Sequence, residues 1–487
     1  METNMVTGAW QTCGSNLVMK RMFTLFPAFL PLLGYAGNTE EEETQKERPN
    51  ILFITVDDLR PELACYGETQ IISPNIDRLA SESYFFERSY CNIPVSGASR
   101  ASLFTGIRSH VNTFLTAASW IDKDAGNAIT LPELLKKSGY YTISESKVYH
   151  HDTDREQSWD ERYRDRNDTN PEAWKNYVVY KGTGAKNEKT PAYECADVAD
   201  EAYIDGRTAE NAMKHLRALK EKGKPFFLGV GFLKPHLPFN APAKYWKMYD
   251  RNELKVPENF RLDFPTIPKR AFHNSGELRT YKDIPEERLF SEDFAKLLIH
   301  GYYACVSYVD AQIGKVLDEL KRLELDKNTI VVLLGDHGWN LGEHAMWNKH
   351  CNFSTSLEAP LMIKVPGRKG SAVCSVVEFV DIYPTLCDLC GVEKPVGQLQ
   401  GESLLPVMEN PRRIVKEYAV AKFKNAVTLI TPRYTYTEWF SADDKMQDRM
   451  LFDLEVDREE NLNVAENASM KSLVNKLSKE LRKRRGY

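Results

Sequence analysis

The sequence predicts an α/β fold in which a large, mixed but mostly parallel sheet is flanked by helices and followed by a smaller C-terminal α+β subdomain. Continuous apolar runs rich in β-branched residues, at 51–56 and 329–335, are typical of parallel strands buried on both faces. A segment with apolar residues at helical spacing, 294–323, fits a helix that covers such a sheet. After about Pro406 short alternating runs replace this pattern, which indicates the second, smaller unit.

The order of the elements follows from similar signals. Buried strands are predicted in the larger unit at residues 51–56, 140–144, 225–232, 329–335 and 361–365. Thr130 and Glu133 form a capping-box pattern that predicts the start of a helix. Residues 151–200 are polar and aperiodic, so we interpret them as a long surface excursion that would border the entrance to a substrate site. We expect the catalytic domain at residues 49–408 and the C-terminal subdomain at 409–487.

The composition allows a large core and argues against a nucleic-acid partner. The chain has 487 residues, of which 42% are hydrophobic, and this is ample for an extensive interior. It has 64 Lys and Arg against 69 Asp and Glu, a formal net charge of −5, and so lacks the basic surplus of a nucleic-acid-binding protein. An anionic ligand would therefore be attracted by a local cluster of cations.

The N-terminus has the parts of a secretory signal peptide. Lys20 and Arg21 precede the apolar run 22–33, and small residues follow it, so a leader is predicted over residues 1–36. The run is too short to span a bilayer comfortably, and we expect no transmembrane span in the mature chain. Residues 37–48 are predicted to form a charged linker. The pattern indicates an exported protein.

The nine cysteines do not indicate a disulfide scaffold for a chain of this size. Cys387 and Cys390 form a CxxC pair within an apolar, helix-like run that ends at Gly391. No second CxxC completes a zinc site, and buried cysteine behaves as a small hydrophobic residue. We therefore predict that this pair faces the core.

Three predicted strands stop at ionisable residues: Asp57, Asp58, Lys234, His236, Asp336 and His337. In α/β sheets, ligands bind beyond the carboxyl ends of the strands, so these side chains are expected to converge. Each strand end could also be a solvated start of a loop. Carboxylates crowded together repel each other unless a cation neutralises them, and oxygen ligands favour Ca²⁺ or Mg²⁺ over zinc. His337 is an unusual but acceptable ligand among several oxygens.

Ser96 lies in a small-residue turn that precedes an apolar segment. Taken alone, this stretch favours an ordinary capped helix over a catalytic one. If a helix begins at Ser96, its free amides and dipole favour an anion there. The candidates for a ring around a tetrahedral anion are Arg100, Lys147, Lys234, His344, Trp347 and Lys349. Histidine is the side chain that most often serves as a general acid near neutral pH, so His236 is the candidate acid.

The run SGASRASLFTG at 96–106 resembles the signature of type I sulfatases, [C/S]-x-[P/A]-S-R-x-x-L-x-T-G. In that family the first residue is oxidised to formylglycine, and the serine form implies a bacterial source with a radical-type maturation enzyme. The segments 54–61, 147–150, 234–239 and 336–344 are similar to the iduronate-2-sulfatase branch in particular. The resemblance implies an alkaline-phosphatase-like fold with a smaller C-terminal domain.

The resemblance also implies a role for each matching residue. One Ca²⁺ per chain would be held by Asp57, Asp58, Asp336, His337 and the group derived from Ser96. Arg100 would support the hydrated aldehyde, with Lys147 and His150 close to it. Lys349 would contact sulfate oxygens, and His236 would protonate the leaving alcohol.

The expected substrate is the 2-O-sulfate of an unsaturated uronate at the non-reducing end of heparin or heparan sulfate oligosaccharides. The expected location is the periplasm of a Gram-negative bacterium. Three alternatives stay open: a sulfatase for another sulfated glycan, a phosphonate or phosphodiester hydrolase that uses Ser96 unmodified, and a catalytically silent glycan-binding protein. The complete set of nucleophile, acid and metal ligands argues against the last.

Overall fold

The computed structural model describes residues 48–164, 175–183, 188–261 and 263–485. The predicted leader and almost all of the predicted linker lie outside these residues. The strands are β1 (Asn50–Val56), β2 (Tyr84–Phe86), β3 (Ser89–Tyr90), β4 (Tyr141–Ser146), β5 (Glu161–Tyr163), β6 (Tyr193–Ala196), β7 (Phe226–Phe232), β8 (Phe239–Pro242), β9 (Thr329–Gly335), β10 (Asn340–Leu341), β11 (Trp347–Asn348), β12 (Leu361–Lys364), β13 (Ser371–Val373), β14 (Val377–Glu378), β15 (Ala419–Phe423), β16 (Ala426–Ile430), β17 (Tyr434–Phe440) and β18 (Met446–Asp453).

The α-helices between them cover both faces of the main sheet and one face of the C-terminal sheet. They are α1 (Pro74–Ser81), α2 (Ser96–Thr105), α3 (Ile121–Asp124), α4 (Leu131–Lys137), α5 (Ile204–Lys222), α6 (Ala243–Trp246), α7 (Glu292–Arg322), α8 (Ser354–Leu357), α9 (Ile382–Cys390), α10 (Leu405–Glu409) and α11 (Lys471–Arg484). In the part of the chain that is described, no helix has the length and apolar content needed to cross a bilayer.

The main sheet has the strand order β13-β2-β12-β9-β1-β7-β4-β5. The strand β1 lies at its centre and pairs in parallel with both β7 and β9. Only β12 runs antiparallel to its neighbours, β9 and β2. Every residue of β1, β7 and β9 is buried, as their continuous apolar sequences predict. The predicted mixed, mostly parallel α/β sheet is confirmed.

Two predictions about the edge of this sheet were incomplete. The strand predicted at 140–144 runs from Tyr141 to Ser146, because its polar end continues to pair with β7 through Glu145–Val230 and Ser146–Gly231. The excursion predicted over 151–200 contributes β5 to the edge of the sheet and β6 to a pair with β8. Strands of three or four residues with mixed polarity give no alternating pattern that sequence analysis can detect.

The interior has a large apolar cluster on each face of the main sheet. On one face α1, α5 and α7 pack against the strands, and on the other α2, α4 and α9 do so. Cys387 and Cys390 are buried in the second cluster, so the prediction that this pair faces the core is confirmed. The cysteines among the described residues are all free thiols.

The C-terminal region forms the antiparallel sheet β15-β16-β17-β18. Val474, Leu477 and Leu481 of α11 pack against it over Leu429 and Tyr436. This confirms the predicted smaller C-terminal unit with its own sheet. Residues 48–485 nevertheless pack as one compact unit, and the boundary between 408 and 409 stays a prediction.

Gly231 of β7 leaves room for the chain that follows β4. A Cβ at this position would lie 2.1 Å from the carbonyl carbon and oxygen of Lys147. We expect Gly231→Ala to lower the free energy of unfolding by about 1–3 kcal/mol, because the strands must separate to accept the methyl group. Gly276→Ala is the control, since its Cβ would meet no atom closer than 3.4 Å. Urea unfolding of both variants checks this, and equal stability would contradict it.

Candidate active site

The two central strands bring the predicted acidic residues together. The parallel register pairs Val56 with Gly335, so the chain leaves β1 and β9 at the same level. Asp58 has a φ of 62°, a left-handed conformation that turns the chain, and its backbone N–H donates to Asp336 Oδ1 at 3.0 Å. Asp57, Asp58 and Asp336 are all fully buried. These carboxylates therefore form one cluster beyond the carboxyl end of the sheet.

Ser96 is the first residue of α2 and points into this cluster. Its Oγ donates to Asp57 Oδ1 at 3.1 Å and lies 2.9 Å from His337 Nε2. The Nδ1 of His337 lies 2.9 Å from the Gly338 carbonyl oxygen, which requires a proton on Nδ1. In a neutral imidazole, Nε2 then presents a lone pair to the cluster, and the single Ser96 hydroxyl proton can go either to it or to Asp57. A helix does begin at Ser96, which is the condition under which its free amides favour an anion there.

Arg100 lies one helical turn after Ser96 and joins three parts of the site. Its guanidinium donates from Nε to Asp336 Oδ2 and from Nη2 to Asp57 Oδ1, each at 3.0 Å. The Nη1 group donates to the carbonyls of Lys147, at 2.5 Å, and Val148, at 3.0 Å. The side chain is only 1% exposed. Arg100 thus fixes the acids and the loop after β4 in one arrangement.

Two lysines pair with the acids of the cluster. The Nζ of Lys147 contacts Asp57 Oδ2. The Nζ of Lys349 lies 3.1 and 3.0 Å from the two carboxylate oxygens of Asp58, and 3.1 Å from Glu277 Oε1. Although burial works against its charged form, Asp58 and Glu277 raise the pKa of Lys349. The ammonium also lies over the ring of Trp339, 4.9 Å from its centroid.

The two candidate histidines differ in their surroundings. The ring nitrogens of His236 both face acceptors, with Nδ1 2.6 Å from the Leu237 carbonyl oxygen and Nε2 3.1 Å from Glu277 Oε1. A protonated imidazole, which donates from both nitrogens, satisfies this pattern. Burial and the nearby Lys147 ammonium hold the pKa of His150 well below its usual range. His150 is therefore neutral at neutral pH, and its buried Nδ1 has no partner among the described residues.

The donors in the cluster fit a hard divalent cation. Ligand atoms of Asp58, Asp336 and His337 lie within 4.8 Å of one another, as do those of Asp57, Asp58 and His236. Despite burial, Lys147, His236 and Arg100 hold the pKa of Asp57 well below its usual range. Burial raises the pKa of Asp58 even though His236 and Lys349 oppose this. The cations of the protein therefore do not fully neutralise the buried carboxylate of Asp58. A divalent ion would supply the missing positive charge.

Three residues of the predicted cationic ring have other roles. Lys234 donates its Nζ protons to the carbonyls of His236, at 2.7 Å, and Pro238, at 2.6 Å, and so clamps its own loop. His344 stacks on Phe353, and burial lowers its pKa to about 4. Trp347 is buried in the apolar interior. These contacts depend on how each loop folds, which strand-end spacing does not predict, so spacing alone misassigned the three residues.

The structure adds two site residues that sequence analysis missed, Glu277 and Arg164. Glu277 contacts both His236 and Lys349, and despite burial these cations hold its pKa well below its usual range. Arg164 donates from Nη1 to the His150 carbonyl oxygen at 3.0 Å. Both residues lie in irregular segments without a motif. For Arg164 the available signal was the excess of charged residues in the excursion at 151–200, whereas Glu277 lies outside that excursion and had no such signal.

The comparisons with known proteins agree with this geometry. The sulfatase family model matches residues 49–392, which is most of the chain. The chain belongs to the sulfatase family. A second model, for the C-terminal part of N-sulphoglucosamine sulphohydrolase, matches residues 342–486 of this sulfatase. The mouse (Mus musculus) iduronate 2-sulfatase is 34% identical over 388 residues, which cover 71% of this chain and 69% of the mouse protein. This sulfatase therefore lies near the iduronate-2-sulfatase branch.

Two solved structures show the same fold at lower identity. The structure of a 2-O glycosaminoglycan sulfatase has a TM-score of 0.69 and 23% identity to this sulfatase, over 90% of this chain and 92% of the other. A phosphonate monoester hydrolase from Silicibacter pomeroyi has a TM-score of 0.75 and 21% identity, over 90% of this chain and 95% of the other. These likenesses confirm the alkaline-phosphatase-like fold expected from the sequence. Because a sulfatase and a phosphonate hydrolase share this fold, the choice of substrate depends on the side chains of the site.

Ca²⁺ binding to the acidic cluster should stabilise the sulfatase. After treatment with a chelator, adding Ca²⁺ at about 100 times its Kd should stabilise the fold by about 2.7 kcal/mol, because the ion binds only the folded state. Asp336→Asn should abolish this increase in Tm, whereas Asp443→Asn, at an exposed acid, should keep it. Differential scanning fluorimetry checks this. A Tm that Ca²⁺ does not change in the unsubstituted protein would contradict the site.

Proposed function

We propose that this sulfatase hydrolyses the 2-O-sulfate ester of unsaturated uronic acid residues at the non-reducing end of heparin, heparan sulfate or related glycosaminoglycan oligosaccharides. The observation that carries the proposal is the buried cluster in which Ser96 contacts Asp57 and His337 within a ring of Arg100 and lysines. The likeness to iduronate 2-sulfatase supports the choice of a uronate.

Two groups complete the site in this proposal. A radical-type maturation enzyme converts Ser96 to formylglycine, and Asp57, Asp58, Asp336 and His337 hold one Ca²⁺ together with residue 96. The formylglycine supplies, when hydrated, the hydroxyl that attacks sulfur, and Ca²⁺ supplies positive charge at the sulfate oxygens. The predicted leader exports the enzyme to the periplasm.

The side chains of the protein orient the ester and move its protons. The ammonium groups of Lys147 and Lys349 bind sulfate oxygens and stabilise the charge that develops as the S–O bond breaks. His236 gives its Nε2 proton to the sugar oxygen, which is a poor leaving group without it. Neutral His150, whose Nδ1 has no partner among the described residues, would accept the proton of the second hydroxyl at position 96, so that sulfate leaves and the aldehyde is restored. Arg100 keeps Asp57 in place beneath this hydroxyl.

A uronate substrate carries a carboxylate, and Arg164 is the cation that suits it. The site lysines and Arg100 already pair with acids, whereas Arg164 has no carboxylate partner among the described residues and donates to a backbone carbonyl. Burial and the nearby Arg100 lower the pKa of Arg164 to about 10, although the Asp57 carboxylate opposes this. Its side chain lines a cavity of about 270 Å³ next to the loop that carries His150.

Sulfate release from defined disaccharides tests the proposal. We expect release from a 2-O-sulfated unsaturated disaccharide and no comparable release from its 6-O- and N-sulfated isomers. Ion chromatography measures the product. Preference for either isomer would favour a sulfatase for another glycan position and would contradict the proposal.

Mass spectrometry of the peptide that contains Ser96 distinguishes a formylglycine-dependent sulfatase from a hydrolase that uses Ser96 unmodified. In the active enzyme this residue should lack two hydrogen atoms relative to serine, and Ser96→Ala should abolish turnover. Ser81→Ala is the control, because Ser81 is exposed on α1 and its hydroxyl donates to the Arg78 carbonyl. Phosphonate or phosphodiester hydrolysis by a chain with unmodified Ser96 would identify the rival hydrolase.

Arg164→Gln should weaken binding of the uronate substrate. A charge-assisted hydrogen bond to a carboxylate contributes about 1.5–3 kcal/mol, so KM should rise about 10- to 100-fold while kcat changes little. The KM for 4-nitrophenyl sulfate, which has no carboxylate, should not change. Arg162→Gln is the matched control, because Arg162 lines the same cavity but is already paired with Glu156 at 2.6 Å. Equal effects on both substrates would contradict the role of Arg164.

A further inference from the structure

The hairpin between β15 and β16 of the C-terminal sheet reaches the segment that leads to Ser96. The chain turns at Lys424 and Asn425, which are both exposed. Just before this turn, the backbone N–H of Lys422 donates to the carbonyl of Asn92 at 2.8 Å. Because Asn92 comes four residues before Ser96, this bond attaches the hairpin to the chain that enters the active site.

A second contact attaches the hairpin to the residue that follows Lys349. The ring of Phe423 is stacked on that of His350, with 5.8 Å between the centroids and 14° between the planes. Lys349 contacts Glu277 Oε2 at 3.0 Å, and the side chain of Glu277 is 22% exposed. The tip of the hairpin therefore lies close to the place where the buried cluster meets the solvent.

Two cations at this edge of the site, Lys424 and Arg288, are exposed and form no ion pair with any described residue. The Nζ of Lys424 lies 5.3 Å from the ring centroid of Phe423, and the guanidinium carbon of Arg288 lies 5.4 Å from that of Phe272. Aromatic faces attract these cations but do not neutralise them. Both side chains thus keep a full positive charge that is available to a ligand.

The two cations act on one place, the imidazole of His273. Burial lowers the pKa of His273 to about 4, and Lys424 and Arg288 add to this effect while Glu277 opposes it. His273 is therefore neutral at neutral pH, and the charge beside it comes from the lysine and the arginine. Their combined potential favours an anion next to the entrance of the site.

We propose that Lys424 and Arg288 form a second anion subsite, which binds a sulfate group on the sugar next to the sulfated uronate. The subsite rests on the proposed function and deepens it, because it makes the sulfation of the neighbouring sugar a determinant of substrate choice. Ammonium and guanidinium groups suit this ligand, since both donate charge-assisted hydrogen bonds to sulfate oxygens. The bound sulfate group is not cleaved.

Three unsaturated disaccharides, each 2-O-sulfated on the uronate, test the subsite. Their glucosamine carries an N-acetyl group, an N-sulfate, or an N-acetyl group with a 6-O-sulfate. For at least one of the two sulfated glucosamines, the KM for 2-O-sulfate release should be about 3- to 30-fold lower than for the N-acetyl form, as expected of two exposed ion pairs. Lys424→Gln and Arg288→Gln should each reduce this ratio and leave kcat and the KM of the N-acetyl substrate unchanged.

Lys445→Gln is the matched control for the hairpin lysine. Lys445 is an exposed lysine in the turn between β17 and β18 of the same sheet, and it is already paired with Asp443 at 2.7 Å. This variant should keep the full KM ratio. Calorimetric titration of Ser96→Ala with the same three disaccharides should give a similar ratio of Kd values, and this measurement does not depend on turnover. Adding Lys424→Gln to Ser96→Ala should reduce that ratio.

Two kinds of failure can be told apart. Equal KM values for the three substrates, or an equal rise of all three KM values in both variants, would overturn the subsite while release of the 2-O-sulfate continues to support the proposed function. A Kd ratio that Lys424→Gln does not change would overturn the subsite as well. No release of the 2-O-sulfate from any of the three would overturn the proposed function, and the subsite with it.

Discussion

The buried guanidinium of Arg100 is the interaction on which the site depends. It joins Asp57 after β1, Asp336 after β9 and the carbonyls that follow β4. A buried charge is costly unless it is paired and hydrogen-bonded, so each partner of Arg100 must keep its position for the others to remain buried. Removing one partner would leave an unpaired charge in the interior. The three strand ends are therefore fixed relative to one another and to Ser96, one turn away on α2.

The topology of the sheet makes this arrangement possible. Because β1 lies between β7 and β9 and runs parallel to both, the loops that carry Asp57, His236 and Asp336 all leave the sheet on the same edge. The strand β4, next to β7, adds the loop with Lys147 at that edge. Gly231 allows this loop to approach β7 closely. Side chains from distant parts of the sequence meet here, although no local motif encodes their contacts.

The difference between local and distant signals explains what the sequence could predict. The central strands, the helix at Ser96 and the acids Asp57, Asp58 and Asp336 follow from apolar runs and the points where they stop. Glu277 and Arg164 could not be predicted, since their roles depend on which loops fold over the site and leave no periodicity. Lys234 was misassigned although its two carbonyl partners lie in its own loop, because strand-end spacing does not show how that loop folds. The short strands β5 and β6 carry too few residues for an alternating pattern.

The charges of the site divide it into two parts. Arg100, Lys147 and Lys349 are balanced by Asp57, Asp58, Asp336 and Glu277, so the inner cluster has little net attraction for a further anion without a metal ion. A divalent cation would change this balance and allow the cluster to bind sulfate. Arg164 lies outside the balanced set and donates to the His150 carbonyl. In the proposed function it provides a second attraction, which a substrate with both a sulfate and a carboxylate would use.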